Sequence, residues 1–156
     1  MSANSVDVIL PSGRRLQYER LSFGIYEVVA GETEALPHTA AAAFKMVSDF
    51  KLIKETHFIP ARPGLTFGIS FMVSGGETDE DIPMTWITRF PHGGVVADDG
   101  IAFELDRSVC DVPIGKVSFL CYSFDNVWEM VPGDWHLELW HEDHLIADNA
   151  FTVAVV

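Results

Sequence analysis

The residues best suited to bind a metal ion lie in the segment PGDWHLELWHEDH, residues 132–144, which holds three histidines and four acidic residues. Imidazole nitrogens and carboxylate oxygens are common zinc ligands, but all of them must lie about 2 Å from one point. His136 and His141 are five residues apart, which is about 16 Å along an extended strand, and they point to opposite faces of it. These two histidines therefore cannot share a metal ion.

The remaining metal candidates are His141 and His144, with two acidic residues between them. Four consecutive side chains in a turn fan outward instead of converging on one ion. We therefore expect a solvated turn, with His141 and His144 as weak metal candidates only, and no cofactor. The acidic segment ETDED, residues 77–81, lacks the regular carboxylate spacing of a calcium loop and is expected to be a solvated loop tip.

Catalytic motifs are also missing from the sequence. It contains no G-x-S-x-G segment, no glycine-rich phosphate loop and no H-E-x-x-H pair. Serine, histidine and aspartate all occur, but no spacing singles out a triad. We therefore favour a non-catalytic protein, and an enzyme would need an acid–base pair clustered in a concave pocket.

Strict alternation of apolar and polar residues instead predicts a β-hairpin in the opening segment. In the strand that starts after Gly133, three residues point to one side (Trp135, Leu137 and Leu139) and three to the other (His136, Glu138 and Trp140). The first set is expected to lie in the core and the second on the outer face.

The returning strand is LIADNAFTVAVV, residues 145–156. Pairing Leu139 with Ile146 and Phe151 with Trp135 requires one extra residue, a β-bulge, near residues 148–149. The bulge would keep the polar side chains of residues 148 and 149 off the core.

Four residues are candidates for binding a ligand or a partner. Trp128 and Glu129 lie in FDNVWEMVPGDW, residues 124–135, a segment with many large aromatic residues for a surface loop. Trp128 either plugs one end of the core or lines a groove there together with Glu129. Trp140 and His136 share the outer face, where Trp140 either folds over its own strand end or packs against a second subunit.

The other strands follow the same period of two. The clearest is LTFGISFMV, residues 65–73, and IPMTWITRF, residues 82–90, repeats its pattern. In RLSFGIYEV, residues 20–28, we expect Leu21, Phe23 and Ile25 to point inward.

Three further segments complete the predicted fold. FKMVSDFKLIKETHFI, residues 44–59, changes parity midway, which predicts a bulge or a bend. KVSFLCYSF, residues 116–124, is apolar on both faces and is expected to lie centrally in a sheet. HTAAAAF, residues 38–44, is the one helical candidate and is too short to matter. About eight or nine short strands with turns between them predict an all-β, immunoglobulin-like antiparallel β-sandwich with little helix.

The two cysteines are expected to stay reduced. The segment DVPIG predicts a hairpin centred near Pro113, which would place Cys110 opposite Lys116 and Cys121 opposite Leu105. Because the two thiols would not face each other, we expect no disulfide. A catalytic role for either would need a nearby base and a depressed pKa.

Size and charge limit the protein classes further. With 156 residues, 48% of them hydrophobic, and a mean hydropathy of +0.18, the chain is expected to form a single domain, residues 1–156. Its net charge of −13 disfavours nucleic-acid and membrane partners and leaves open a basic protein partner. No signal peptide or membrane-spanning run is seen, which predicts a cytoplasmic protein.

Four segments in the same order resemble the bacterial DUF3859 family, a domain of unknown function: FGIYE (23–27), ETHFIPARPGLTFGISF (55–71), YSFDNVWEMVPGDWHLELW (122–140) and LIADNAFTV (145–153). The match is weakest between about residues 74 and 115. The resemblance implies an all-β domain with no assigned activity and no known cofactor, and it carries over no catalytic residues.

Three classes of function therefore remain. We favour a soluble non-catalytic module that binds a protein partner or forms a homodimer, an inference from fold-level analogy. A small-ligand or carbohydrate-binding domain is the alternative, which an exposed coplanar row of tryptophans would support. An enzyme with an unrecognised site is the third.

Overall fold

In the computed structural model, the chain folds into two five-stranded sheets that enclose one hydrophobic core. The structure describes residues 5–10, 12–35, 43–75 and 80–155, and it describes residues 5, 28–35 and 43–49 by their backbone only. The predicted all-β sandwich is confirmed. In these ranges no helix is long and apolar enough to cross a membrane.

The described residues form twelve strands and one short 3₁₀ helix. In chain order they are β1 (Ser5–Ile9), β2 (Arg15–Ala35), β3 (Ala43–Lys54), β4 (Phe58–Pro60), β5 (Thr66–Ser74), β6 (Asp81–Arg89), β7 (Val95–Val96), β8 (Ala102–Phe103), β9 (Leu105–Pro113), β10 (Val117–Ser123), the helix η1 (Val127–Glu129), β11 (Gly133–His141) and β12 (His144–Ala154). The number exceeds the predicted eight or nine because β4, β7 and β8 have only two or three residues each.

Sheet A has the order β1-β2-β5-β10, with β3 also paired to β2. Sheet B has the order β4-β12-β11-β6-β9, and β7 and β8 pair separately. All pairs are antiparallel except β4 with β12. Large apolar residues from both sheets meet in the core, and the inward set predicted for β5 is confirmed by Phe67, Ile69 and Phe71, which have no exposed surface. The strand is not half-buried as its alternation indicated, because Thr66 and Ser70 are also buried.

The C-terminal hairpin pairs Trp135 with Phe151, as predicted. The predicted position of its bulge is wrong. Leu139 lies opposite Ala147 and the next residue lies opposite Leu145, so the extra residue is Ile146. A two-residue turn explains the difference, because residue 142 adopts a φ of 52° and allows a tight connection that places the irregularity beside the turn.

The displaced bulge sends Asn149 into the interior, contrary to the expectation that it lies off the core. Asn149 lies opposite Leu137 and is 6% exposed. Its amide group donates to the Leu137 carbonyl oxygen at 3.4 Å, and its Oδ1 accepts from Arg20 at 3.3 Å. These bonds satisfy a polar group that would otherwise be costly to bury.

Strand β2 bends near Gly24, which has a φ of 134°. A Cβ atom at Gly24 would lie 2.0 Å from the Lys54 carbonyl oxygen, so no other residue fits there. The rings of Phe50 and Phe119 stack at 4.5 Å, although strand spacing and register would place them more than about 20 Å apart in a flat sheet. The bend therefore brings Phe50 of β3 over the outer face of sheet A.

The parity change predicted for β3 is confirmed, because Ile25 pairs with Lys54 and Tyr26 with Leu52, which leaves Ile53 as an extra residue. The prediction that Leu21 points inward is wrong. The pairing of β2 with β5 shifts between Arg20 and Ser22, and Leu21 is 43% exposed.

Strand β10 lies at the edge of sheet A, so the prediction of a central position is wrong. The predicted hairpin at Pro113 is also wrong, because β9 belongs to sheet B and the connection crosses between the sheets. Cys110 lies opposite Met84 and Cys121 lies opposite Gly68, and both thiols are free. Burial raises the pKa of each thiol to about 12, so neither is an activated nucleophile.

Two predicted segments lie partly outside the described residues. They are residues 38–42 of the helical candidate, whose last two residues begin β3, and residues 77–79 of the acidic loop.

We expect Trp135→Ala to lower the free energy of unfolding by about 3–5 kcal/mol, because the indole fills the centre of the core. Trp135 is fully buried and packs edge-on against Phe67, Phe90 and Phe124. Denaturant unfolding measures the loss, and Val127→Ala, at a position that is 74% exposed, is the control. A loss below about 1 kcal/mol would contradict the central role of this side chain.

Candidate functional site

The outer face of sheet B carries the polar residues that alternate with the core residues of β11. Across the β11–β6 pair, His136 lies opposite Arg89, Glu138 opposite Ile87, and Trp140 opposite Thr85. Because Trp135 and its alternate neighbours point inward, these three residues of β11 must point outward. The sequence predicted this placement for all three.

Glu138 lies at the centre of this face and is nevertheless buried, with 6% of its surface exposed. Its carboxylate accepts hydrogen bonds from Arg89 Nε at 2.9 Å and from Arg89 Nη2 at 3.1 Å. It also accepts one from the Trp140 indole N–H at 2.8 Å. A single carboxylate therefore orients an arginine and a tryptophan side by side.

The charges in this group reinforce one another. Burial alone would raise the pKa of Glu138, but the hydrogen bonds from Arg89 and Trp140, together with the positive charge of Arg89, lower it overall. The hydrogen bond to Glu138 raises the pKa of Arg89 in turn. Both groups are ionised at neutral pH, and the bidentate geometry is the strongest form of this ion pair.

A groove of about 170 Å³ lies beside Trp140 on the same face. It is lined by Thr85, Ile87, Arg107, Trp140, Glu142 and Asp143. Ile87 and the indole form the apolar part, and Arg107 and the two carboxylates of the turn supply opposite charges. Next to Glu138, His136 forms a hydrogen bond through its Nδ1 with Asp148 at 2.9 Å.

The weak metal candidates flank the turn on facing strands, with His141 opposite His144. His141 Nδ1 lies 2.9 Å from the Pro83 carbonyl oxygen, so this nitrogen has a backbone partner. Over the ranges that the structure describes, no three metal-ligating side chains come together.

The loop at the end of the sandwich is held by Glu129, which is fully buried. Its carboxylate accepts hydrogen bonds from the Tyr122 hydroxyl at 2.7 Å and from the Asn126 backbone N–H at 2.6 Å. Desolvation raises the pKa of Glu129, and burial beside this carboxylate raises that of Tyr122. In this arrangement Glu129 binds its own loop and has no surface for a partner.

Trp128 is partly buried and packs against the hydrophobic core, next to Glu129 in the same helix. The Trp135 indole donates to the Val131 carbonyl oxygen at 2.8 Å and closes the loop from the other side. The sequence contained a signal for this structure, because Asn126 and Glu129 have the spacing of a capping box, and the Glu129 side chain accepts from the Asn126 backbone N–H.

A second pocket, of about 280 Å³, was not predicted. It lies between β2 and β12 and is lined by Val6, Tyr18, Arg20, Ile146, Ala147, Asp148 and Asn149. The Arg20 guanidinium lies 4.3 Å from the centre of the Phe23 ring. Burial raises the pKa of Tyr18 to about 12, despite the opposing effects of Asn149 and Arg20. The pocket forms because the Asn149 side chain points inward. The predicted bulge near residues 148–149 would have pointed it away from the core, so the sequence did not indicate the pocket.

The four tryptophans lie in four different environments. Trp135 is in the core, Trp86 packs against the core from β6, Trp128 is in the end loop, and Trp140 is on the outer face of sheet B. They do not form the coplanar exposed row that would stack on successive sugar rings.

Comparison with known proteins agrees with this fold. The model of the DUF3859 family, a domain of unknown function, matches residues 14–153. A solved structure of an immunoglobulin-like protein from Pseudomonas aeruginosa aligns with a TM-score of 0.64 and 23% identity, over 98% of this chain and all of the other. This likeness concerns the fold alone and confirms the immunoglobulin-like prediction. No curated protein matches the chain.

Replacing each buried carboxylate by its amide should change stability with opposite pH dependence. The raised pKa of Glu129 means that its contribution relative to Glu129→Gln is largest below the ordinary pKa of 4.5 and falls as the pH rises through the raised pKa. The lowered pKa of Glu138 means that its contribution relative to Glu138→Gln is present above 4.5 and is lost as the pH falls through the lowered pKa.

Urea unfolding of both variants and the wild type from about pH 3.5 to about pH 7.5 measures these differences. Each variant is the other's control, since both replace one carboxylate by an amide. Parallel pH profiles for the two variants would show that the two environments do not differ as described.

Proposed function

The chain belongs to the DUF3859 family, a domain of unknown function, and from this premise we propose that it is a non-catalytic module that binds a protein partner through the outer face of sheet B. The observation that carries the proposal is the group formed by Glu138, Arg89 and Trp140. Tryptophan and arginine are the residues most enriched among those that dominate binding energy in protein interfaces.

The geometry of this group lowers the cost of binding. A free arginine or tryptophan side chain loses conformational entropy when a partner immobilises it. Here Glu138 already holds Arg89 by two hydrogen bonds and Trp140 by one. Arg89 keeps 44% of its side-chain surface exposed, so a partner can still contact it.

The groove beside Trp140 favours a basic segment of the partner. A lysine or arginine side chain could lay its apolar stem along the indole and Ile87, with its charged end toward Glu142 and Asp143. Arg107 also lines the groove and offsets one of the two carboxylate charges, which leaves one negative charge for one basic side chain of the partner. The net charge of −13 steers a basic partner toward this chain from a distance.

The competing functions have less support. A carbohydrate-binding face needs several aromatic rings in one plane, and Trp140 is the one tryptophan on this face. An acid–base catalyst needs access to substrate, whereas Glu129, the carboxyl group with a raised pKa beside Tyr122, has no exposed surface. Both observations favour a protein partner.

We expect the Trp140→Ala variant to bind a partner protein from the source organism much more weakly than the wild type does. The experiment captures partners on the wild-type chain, purifies the partner and measures the binary dissociation constant by calorimetry. Loss of an aromatic residue of this type should raise the constant by about thirtyfold or more. The control is Val127→Ala, because Val127 is exposed and lies in η1, which is not part of the outer face of sheet B. This variant should bind like the wild type.

The charge requirement has its own test on the same purified pair. Glu142→Gln/Asp143→Asn should weaken binding by several-fold and reduce its dependence on salt, because the removed charges attract a basic segment. A partner that binds Trp140→Ala and the wild type equally would refute the proposed surface.

A further inference from the structure

A row of mostly apolar side chains crosses the outer face of sheet B from strand to strand. Trp140 lies opposite Leu145 on one side and opposite Thr85 on the other. Thr85 in turn lies opposite Val109. Residues that are directly opposite in antiparallel strands point to the same face of the sheet. We call these four residues the apolar stripe, and its ends are exposed, because Leu145 is 43% and Val109 is 69% accessible.

The flank of the apolar stripe toward the β11–β12 turn is acidic. Glu142 and Asp143 form that turn, and Asp111 is the next outward residue after Val109 on β9. All three acidic residues are exposed. None of their carboxylates has a hydrogen bond or an ion pair within the described ranges. Their charges are therefore available to a cation from outside the chain.

The opposite flank of the apolar stripe carries both signs of charge. Arg107 precedes Val109 by two residues on β9 and lies opposite Ile87. On β11 the residue at the same level is Glu138, whose charge is neutralised by Arg89. The stripe therefore separates a flank that attracts cations from one whose arginines repel them.

The spacing of the apolar stripe fits an α-helix better than an extended peptide. Neighbouring strands lie about 4.8 Å apart, so the three intervals from Leu145 to Val109 span about 14 Å. An α-helix rises about 5.4 Å per turn, so three turns of one helix face span about 16 Å. Side chains on one face of an extended peptide recur about every 6.7 Å and would span about 20 Å. A helix therefore places about one turn over each strand, whereas an extended peptide does not stay in step.

Backbone hydrogen bonding also favours a helix. Extended peptides usually bind by pairing with a sheet edge, but β12, β11 and β6 each have a neighbour on both sides. An extended peptide on this face would place its own N–H and C=O groups over apolar side chains without partners, which is costly. A helix satisfies its backbone internally and presents only side chains to the face.

We propose that the apolar stripe binds an amphipathic α-helix of the partner protein. The helix crosses the strands of sheet B, its apolar residues contact the stripe, and its lysines or arginines face Glu142, Asp143 and Asp111. This inference rests on the proposed function, because Trp140 is central to both. It adds the secondary structure of the partner's segment and the direction in which its basic side points.

Two synthetic peptides of about 14 residues test the helical occupant. Both contain equal numbers of leucines and lysines, but one has its leucines at the helical period of about 3.6 residues and the other at alternate positions. Titration of the full chain, followed by the fluorescence anisotropy of a labelled peptide, should give the helical-period peptide a dissociation constant at least about tenfold lower. The far-ultraviolet circular dichroism of that mixture should gain a helical signal.

Variants at the two ends of the apolar stripe locate the binding. Val109→Ser and Leu145→Ser remove apolar surface without changing the charge, and each should raise the dissociation constant of the helical-period peptide about fivefold. Val117→Ser, on β10 of sheet A and 49% exposed, is the matched control and should bind like the wild type. Asp111→Asn should weaken binding by several-fold. Asp98→Asn, an equal change of charge in the exposed turn between β7 and β8, should have a smaller effect.

Equal affinity of the wild type for the two peptides would overturn the helical occupant, and so would a dissociation constant that neither serine variant changes. The binding of the partner protein separates this failure from that of the proposed function. If Trp140→Ala still weakens the binding of the partner protein, the proposed function stands and the partner's segment is not a helix on the stripe. If Trp140→Ala has no effect on that binding, both proposals fail.

Discussion

The burial of Trp135 between the two sheets is the constraint on which the rest of the structure depends. Its indole meets aromatic rings from β5, β10 and the segment after β6 at centroid distances between 4.9 and 5.8 Å. Because side chains alternate along a strand, this one inward residue fixes the direction of every other residue in β11. Glu138 and Trp140 lie an odd number of residues from Trp135, and they therefore point to the outer face.

The two buried glutamates, Glu129 and Glu138, differ in what their carboxylates hold in place. Glu129 follows the core aromatics at the end of the sandwich, where it hydrogen-bonds to Tyr122 and its own loop and stabilises the fold. Glu138 is covered by the side chains that it orients, and one of them, Arg89, stays 44% exposed. Burial without a cation raises the pKa of the first, whereas burial beside a guanidinium lowers that of the second. A carboxylate that orients an exposed arginine is a better mark of a binding surface than one that closes a loop.

Period-two patterns made the core of this fold predictable, and irregular pairing limited the rest. The inward residues of β5 and the pairing of Trp135 with Phe151 follow from alternation alone. The bulge at Ile146 depends on the φ of a single turn residue, Glu142, and this φ is not encoded by hydrophobic pattern. That small displacement turned Asn149 inward and created the pocket beside Arg20 that the sequence did not predict.

Long-range order was the other limit. Strand β10 is apolar on both faces, which indicated a central strand, yet it lies at an edge. Its outer face is covered by aromatic packing, in which Tyr26 and Phe50 contact Phe119. That cover requires β2 to bend at Gly24, and a bend of this kind depends on strands far apart in the sequence. The apolar pattern was correctly identified, but a folded-over strand produced it instead of a second neighbouring strand.

Charge on the outer face of sheet B affects the selectivity of the proposed binding surface. A net charge of −13 repels acidic partners and attracts basic ones at long range. On the outer face of sheet B, Arg89 neutralises Glu138, and Arg107 lies in the adjoining groove; these are two of the ten basic residues in the chain. In the proposed function, specificity there would come from side chains whose positions are fixed before the partner arrives.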